Sequence, residues 1–176
     1  MSSNSSSPQL KFQTFLTHDW GKKQVNGITI DNHARVSRIY KGLKHKNITA
    51  WFDEVEMLGN IDDKMSRGID DSFCVCVFIT ERYLEKVGGD NANDNCKKEF
   101  QYSTARKGPQ LMLPIVMEES CRDQSKWSGM VGLNLNKALY VDFASPNVWS
   151  DDAVFNKKID ELCQFLVRIG INQVQQ

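Results

Sequence analysis

Apolar positions along the chain alternate between two rhythms, short continuous runs and helical stripes. Phe12–Thr17 (FQTFLT) is a compact apolar run closing on polar residues, which predicts a buried first strand. A polar loop then leads to Asp31, a residue suited to capping a helix. Across Asn32–Lys46, Val36, Ile39, Tyr40 and Leu43 fall at i, i+3, i+4 and i+7, one apolar stripe with Lys and Arg opposite, and Asn47 ends it. Ile48–Asp53 (ITAWFD) predicts a second strand. Glu54–Asn60 reads as a loop, and Asn60 as the cap of a helix that lines up Ile61, Met65 and Ile69.

The most apolar run follows, Phe73–Thr80 (FCVCVFIT). It shows no polar alternation, as expected of a parallel strand covered on both faces. Glu81–Val87 predicts a helical turn, Gly88–Asp94 (GGDNAND) a loop tip, and Asn95–Lys107 a helix stopped by Gly108-Pro109. Leu111–Met117 predicts a fourth strand, with a bulge or irregularity at Pro114. Residues 118–137 read as polar loop, including Gly129-x-x-Gly132, with Trp127 as a packing anchor. Ala138–Phe143 predicts a fifth strand near an edge. Asp151–Ile169 predicts a final helix with Val154, Ile159, Leu162, Leu166 and Ile169 inward. Strand and helix thus alternate about five times. That pattern predicts an α/β, flavodoxin-like three-layer sandwich: a five-stranded parallel sheet, order 2-1-3-4-5, with helices on both faces.

Length and charge narrow the function classes. The 176 residues suit one domain, here expected over 10–171, with 1–9 a disordered lead-in and 172–176 a tail. Lys plus Arg (22) balance Asp plus Glu (22), so no basic field draws the chain to nucleic acid. No apolar run is long enough to cross a bilayer, and MSSNSSSPQL lacks the regions of a signal peptide, so a cytoplasmic location is expected. Five cysteines, an odd number at no metal-ligand spacing, read as free thiols in a reducing compartment. His18, His33 and His45 are scattered along the sequence, so no metal site is expected.

Candidate chemistry gathers where such sheets bind ligands, beyond the carboxyl ends of the strands. His18, Asp19 and Trp20 follow the first strand and can contact phosphate or stack on a ring; a turn with a packed Trp is the other reading. Asp53 ends the second strand, either contacting ligand or capping the loop after it. Glu99 sits in the first turns of the helix after the third strand. As spacing alone goes, it is either a site carboxylate or a solvated acid favourable to the helix dipole. Cys96 reads as a packed small residue and Gly59 as a backbone requirement.

Four segments, in order and at matching separations, carry a resemblance to the TIR (Toll/interleukin-1 receptor) domain family over about residues 11–170. FLTHDWG stands at the end of the first strand. WFDEVEMLGNIDDKMSRGIDDS matches the second strand, the long "BB" loop and the following helix. FCVCVFITERYL matches the third strand and its exit, and NCKKEF matches the family's Trp-Cys-x-x-Glu. The style resembles TIR-like domains of protists and other non-vertebrates. The chain departs at Asn95, where many members have Trp, and in a longer preceding insertion. A phosphate-receiving regulator and a flavodoxin share the architecture, but the third strand ends Thr80-Glu81 where the one needs an Asp, and the phosphate loop of the other is missing.

The resemblance implies that Glu99 is the catalytic residue of an NAD⁺ nucleosidase, in innate-immune or cell-death type signalling. Thr17, His18, Asp19, Trp20, Asp53, Met57 and Asn95 would contact the substrate. NAD⁺ would be substrate, with no cofactor and no metal. It also implies self-association through the BB loop and neighbouring helices, or pairing with other TIR domains. A non-catalytic TIR–TIR adaptor module is the alternative.

Overall fold

Five parallel strands form the central sheet: β1 (Phe12–Thr17), β4 (Ala50–Trp51), β5 (Ser72–Ile79), β6 (Met112–Val116) and β7 (Val141–Asp142), side by side in the order β4-β1-β5-β6-β7. Numbered among themselves, these strands stand in the expected order 2-1-3-4-5. The structure, a computed structural model, describes residues 10–53 and 61–173. The expected lead-in and the BB-loop positions Glu54–Asn60, with Met57 and Gly59, lie outside the described residues. Among the described residues no helix is long and apolar enough to cross a membrane.

The two-faced burial of β5 explains its unbroken apolar sequence. Side chains alternate across a strand. Cys74, Cys76 and Phe78 enter one core with Val36, Ile39 and Leu43 of α1 (Asn32–His45) and Phe155, Ile159, Leu162 and Leu166 of α7 (Asp152–Ile169). Val75, Val77 and Ile79 enter the opposite core. There they meet α2 (Ile61–Asp70), α3 (Glu81–Gly88), α4 (Asn95–Lys107) and α5 (Gly129–Leu135). A short helix, α6 (Pro146–Ser150), precedes α7. The cysteines behave as packing residues: all five are free, and burial pushes the Cys74 thiol up to about 12.

Several boundaries differ from the sequence expectation, each for a physical reason. Residues 22–31 are not plain loop. They form an antiparallel hairpin, β2 (Lys22–Val25) and β3 (Ile28–Asp31), around Asn26-Gly27. Both turn residues have positive φ (51° and 78°), which Asn-Gly adopts readily in a two-residue turn. The second sheet strand shortens from 48–53 to 50–51, and the fifth from 138–143 to 141–142. Both are edge strands with a single neighbour, so pairing ends early. Gly129-x-x-Gly132 is helical, the start of α5, and a Cβ at Gly132 would fall against the Trp127 carbonyl.

Pro114 causes no bulge. The β5–β6 register runs unbroken through Val77↔Pro114. Met117 N–H bonds Ile79 on the β5 side, so the Pro114 nitrogen faces the other side, before pairing with β7 begins at Ile115. The missing N–H is therefore not needed. In α7, Phe155 rather than Val154 leads the buried stripe.

Candidate functional site

Glu99 reaches the sheet because α4 carries it on its buried stripe. Asp94 caps that helix, its carboxylate accepting from the Cys96 (2.9 Å) and Lys97 (3.4 Å) amides. The buried positions that follow are Cys96, Glu99, Phe100 and Ser103, spaced i, i+3, i+4, i+7. A carboxylate thus occupies a core position. Glu99 is 8% exposed, which rules out the solvated first-turn acid. Thr17, the last residue of β1, donates to Glu99 Oε2 at 2.6 Å. Since that hydroxyl proton is committed, the Tyr83 hydroxyl, 3.0 Å from Thr17 Oγ1, is the donor in turn.

Burial dominates the electrostatics of the carboxyl and pushes it up to about 8. The Thr17 hydrogen bond opposes the rise, the negative charge of Asp53 adds to it, and Lys86 opposes it. A carboxyl in this range exchanges its proton near neutral pH, a property of acids that do chemistry and a costly one for an acid that only packs.

Thr17's neighbour His18 heads an aromatic and polar cluster. His18, Trp20, Asp53, Asn95 and Glu99 all line one cavity of about 290 Å³. Met65, Lys86 and Cys96 complete its wall. His18 Nε2 lies 2.8 Å from His33 Nδ1 and 3.9 Å from Asp53 Oδ1. Burial holds the His18 imidazole below its ordinary value. The Trp20 indole N–H donates to Asp53 Oδ2 at 2.7 Å, and its ring stacks on His33 with centroids 3.7 Å apart. Trp20 remains 52% exposed, so an aromatic face stands at the rim. Beside this cavity, across Met65 and Glu99, lies a more apolar groove of about 470 Å³ between α2 and α4.

Asp19 goes elsewhere. Its carboxylate accepts from the Gly21 amide (2.7 Å), the Thr80 hydroxyl (2.5 Å) and the Asn32 amide (3.0 Å). It ties the ends of β1 and β5 to the start of α1 and borders a different cavity, of about 200 Å³. Of the residues expected to contact a substrate, the structure therefore brings Thr17, His18, Trp20, Asp53 and Asn95 to Glu99 and separates Asp19 from them. Met57 lies outside the described residues.

Sequence reasoning missed His33, Lys86 and Met65. It also treated the histidines as scattered, whereas folding brings His18 and His33 into contact. His33 is the second residue of α1, and the first turn after an N-cap faces the same sheet end as the residues closing β1; that position was the available signal.

The sequence matches the family model described as TIR domain over residues 29–159. The crystal structure of the TIR domain of the Toll-related receptor TRR-2 from the lower metazoan Hydra magnipapillata is similar in fold. Its TM-score is 0.55 at 15% identity, covering 88% of this chain and 98% of that one. A prokaryotic SEFIR domain gives a TM-score of 0.57 at 12% identity, covering 84% and 98%. No curated protein sequence matches.

Proposed function

We propose that this chain, which belongs to the TIR domain family of signalling modules, is an NAD⁺ nucleosidase that cleaves the nicotinamide–ribose bond with Glu99. The observation that carries the reading is the Glu99 carboxylate: buried, held by one hydroxyl, and on the wall of a cavity with an aromatic rim.

In NAD⁺ the bond to be broken joins the ribose anomeric carbon to a cationic pyridinium nitrogen. Heterolysis gives the bonding pair to that nitrogen, and nicotinamide departs neutral, so no general acid is required, unlike an ordinary glycoside. The positive charge passes to the ribose as an oxocarbenium-like centre. A single carboxylate fixed beside it lowers the barrier, because the attraction grows as the sugar charge develops. Water then adds to the anomeric carbon and loses a proton, giving ADP-ribose; attack by an adenine nitrogen gives a cyclic isomer instead.

This chemistry needs Glu99 ionised. Burial works against that, but an entering pyridinium cation favours the charged form. Substrate binding and ionisation thus reinforce one another. Trp20 would offer its face to a ring, and Lys86 a cation to the diphosphate. The cavity of about 290 Å³ takes the nicotinamide and ribose half of the molecule, at the lower end of small-molecule site volumes.

The test is nicotinamide release from NAD⁺ by wild type and by Glu99→Ala over a range of protein concentrations. Wild type should release nicotinamide with activity rising steeply on self-association, and the variant should release none while keeping its circular dichroism. Full activity in Glu99→Ala ends the assignment. TIR domains generally interact with other TIR domains, so wild type that stays inactive at every concentration, even when clustered, leaves the adaptor reading.

A further inference from the structure

We propose that His18, His33 and Asp53 form a binding site for a divalent transition-metal ion of the zinc class, on the wall of the Glu99 cavity. Three chain segments supply the ligands: the residue after β1, the first turn of α1 and the stretch after β4. Their ligand atoms, one per residue, all lie within 4.8 Å of one another.

The spacing is close to what such an ion requires. Bonds of about 2.0–2.1 Å in tetrahedral geometry set ligand atoms roughly 3.3 Å apart. The His18 Nε2 to His33 Nδ1 separation is 2.8 Å and His18 Nε2 to Asp53 Oδ1 is 3.9 Å. The first distance opens and the second closes by about half an ångström, and the His33–Asp53 separation, within 4.8 Å, closes by up to about 1.5 Å, which side-chain rotations accomplish. The ion would take the place of the proton now shared between the two imidazoles.

The donor set selects the metal. Two imidazole nitrogens and one carboxylate oxygen suit zinc, cobalt, nickel or copper, whereas calcium and magnesium favour all-oxygen shells. The ligands are also oriented from behind, as metal ligands are. The Leu16 backbone carbonyl bonds the His18 imidazole, turning its other nitrogen toward the trio. The Trp20 indole N–H holds the second oxygen of Asp53 at 2.7 Å. His33 is flanked by the rings of Trp20 and Phe52, at 3.7 and 5.3 Å between centroids. Three protein ligands leave a fourth position, and His18 and Asp53 border the cavity into which it opens. The site stands whether or not the chain cleaves NAD⁺.

The experiment is titration of metal-stripped, tag-free full chain with Co²⁺, read by visible d–d absorption and by tryptophan fluorescence. One Co²⁺ per chain should bind with bands of an imidazole-ligated, four- or five-coordinate ion, be displaced by Zn²⁺, and quench a component of emission that Trp20→Phe removes. His33→Ala should weaken binding at least about tenfold, and so should Asp53→Asn. The exposed His45→Ala should leave it unchanged. Circular dichroism monitors folding, and Asp53→Asn, which keeps the side-chain shape, decides the matter if His33→Ala does not fold. Saturable binding that survives both substitutions, sulfur-to-cobalt charge-transfer bands that place the ion on cysteine, or no saturable binding would each overturn the assignment and leave a hydrogen-bonded histidine pair.

Discussion

Replacing Glu99 by glutamine should make the protein relatively more stable as pH rises, and the structure gives the size of the effect. The Glu99 carboxyl titrates near 4.5 when unfolded and about 8 when folded. Below the lower value both states are protonated and the group contributes no pH dependence. Between the two values the folded state keeps a proton that the unfolded state has lost, so stability falls as pH rises, by about 1.4 kcal/mol per pH unit. From about pH 5 to about pH 8 the loss sums to about 4 kcal/mol, and it levels off above. The E99Q side chain carries no such proton, keeps the shape of glutamate and still accepts from Thr17. The difference between wild type and E99Q isolates the term, because titrating groups that do not interact with Glu99 cancel.

Urea denaturation of both proteins across that range supplies the measurement. The stability of E99Q minus that of wild type should climb steadily with pH. Against a total stability of about 5–15 kcal/mol for a typical domain, a change of about 4 is readily resolved. A difference that stays constant within about 0.5 kcal/mol from acid to mildly alkaline pH would refute the claim that this carboxyl is buried and poorly solvated. It would also remove the electrostatic basis for assigning it chemistry.

Three further perturbations test neighbouring parts of the argument. Thr17→Val removes the donor 2.6 Å from Glu99 Oε2, a charge-assisted bond worth about 1.5–3 kcal/mol to the ionised form; the rising limb of kcat/KM for nicotinamide release should move up by about one pH unit or more, and an unmoved limb would show that Thr17 does not support the anion. Asp19→Ala strands three donors, from Gly21, Asn32 and Thr80, and should cost about 3 kcal/mol or more in denaturant unfolding; a loss under about 1 kcal/mol would contradict its role as a structural joint. Ser103→Ala runs the other way, because its hydroxyl is buried with no partner among the described residues, so thermal melts should show the alanine variant neutral to about 1 kcal/mol more stable.

What the sequence revealed and what it hid follow from range of interaction. The strands β1 and β5, the cap at Asp31 and the stripes of α1 and α7 were readable because each depends on its own residues and on burial. The β2–β3 hairpin was missed because β2 is polar and exposed and the alternation of Ile28 and Ile30 in β3 covers only four half-exposed residues; the clearest local signal, Val25-Asn26-Gly27-Ile28, was the turn itself. The helix at Gly129 was missed because a seven-residue helix with two glycines has little propensity of its own and is held by packing of Val131 and Leu135. In the site, Glu99 stood out by type and position, but its burial did not, although Cys96, Glu99, Phe100 and Ser103 already mark one helical stripe. The His18–His33 contact joins the end of a strand to a helix across an intervening hairpin, and its one local signal was the place of His33 in the first turn after the Asp31 cap.

The sheet order explains why these groups converge. The chain leaves β1, crosses to β4 on one side, then returns past β1 to β5 on the other. At such a reversal, connections diverge and leave a crevice at the strand ends. Thr17 and His18 come from β1, Asp53 from beyond β4, and Tyr83 from the helix after β5, so the crevice collects residues from both sides of the reversal. Three acids stand around it: Asp53 and Glu99 line one cavity, and Asp19 borders another. Asp19 meets three donors and closes the joint between β1, β5 and α1. Among the described residues Glu99 meets one hydroxyl, that of Thr17, which in turn accepts from the Tyr83 hydroxyl. A carboxylate with its acceptors filled has little to gain from a new cation, whereas a buried one with fewer donors gains more when positive charge arrives beside it. That asymmetry, set by the distribution of donors around the two acids, ties Asp19 into the fold and leaves Glu99 the more responsive of the two to a cation.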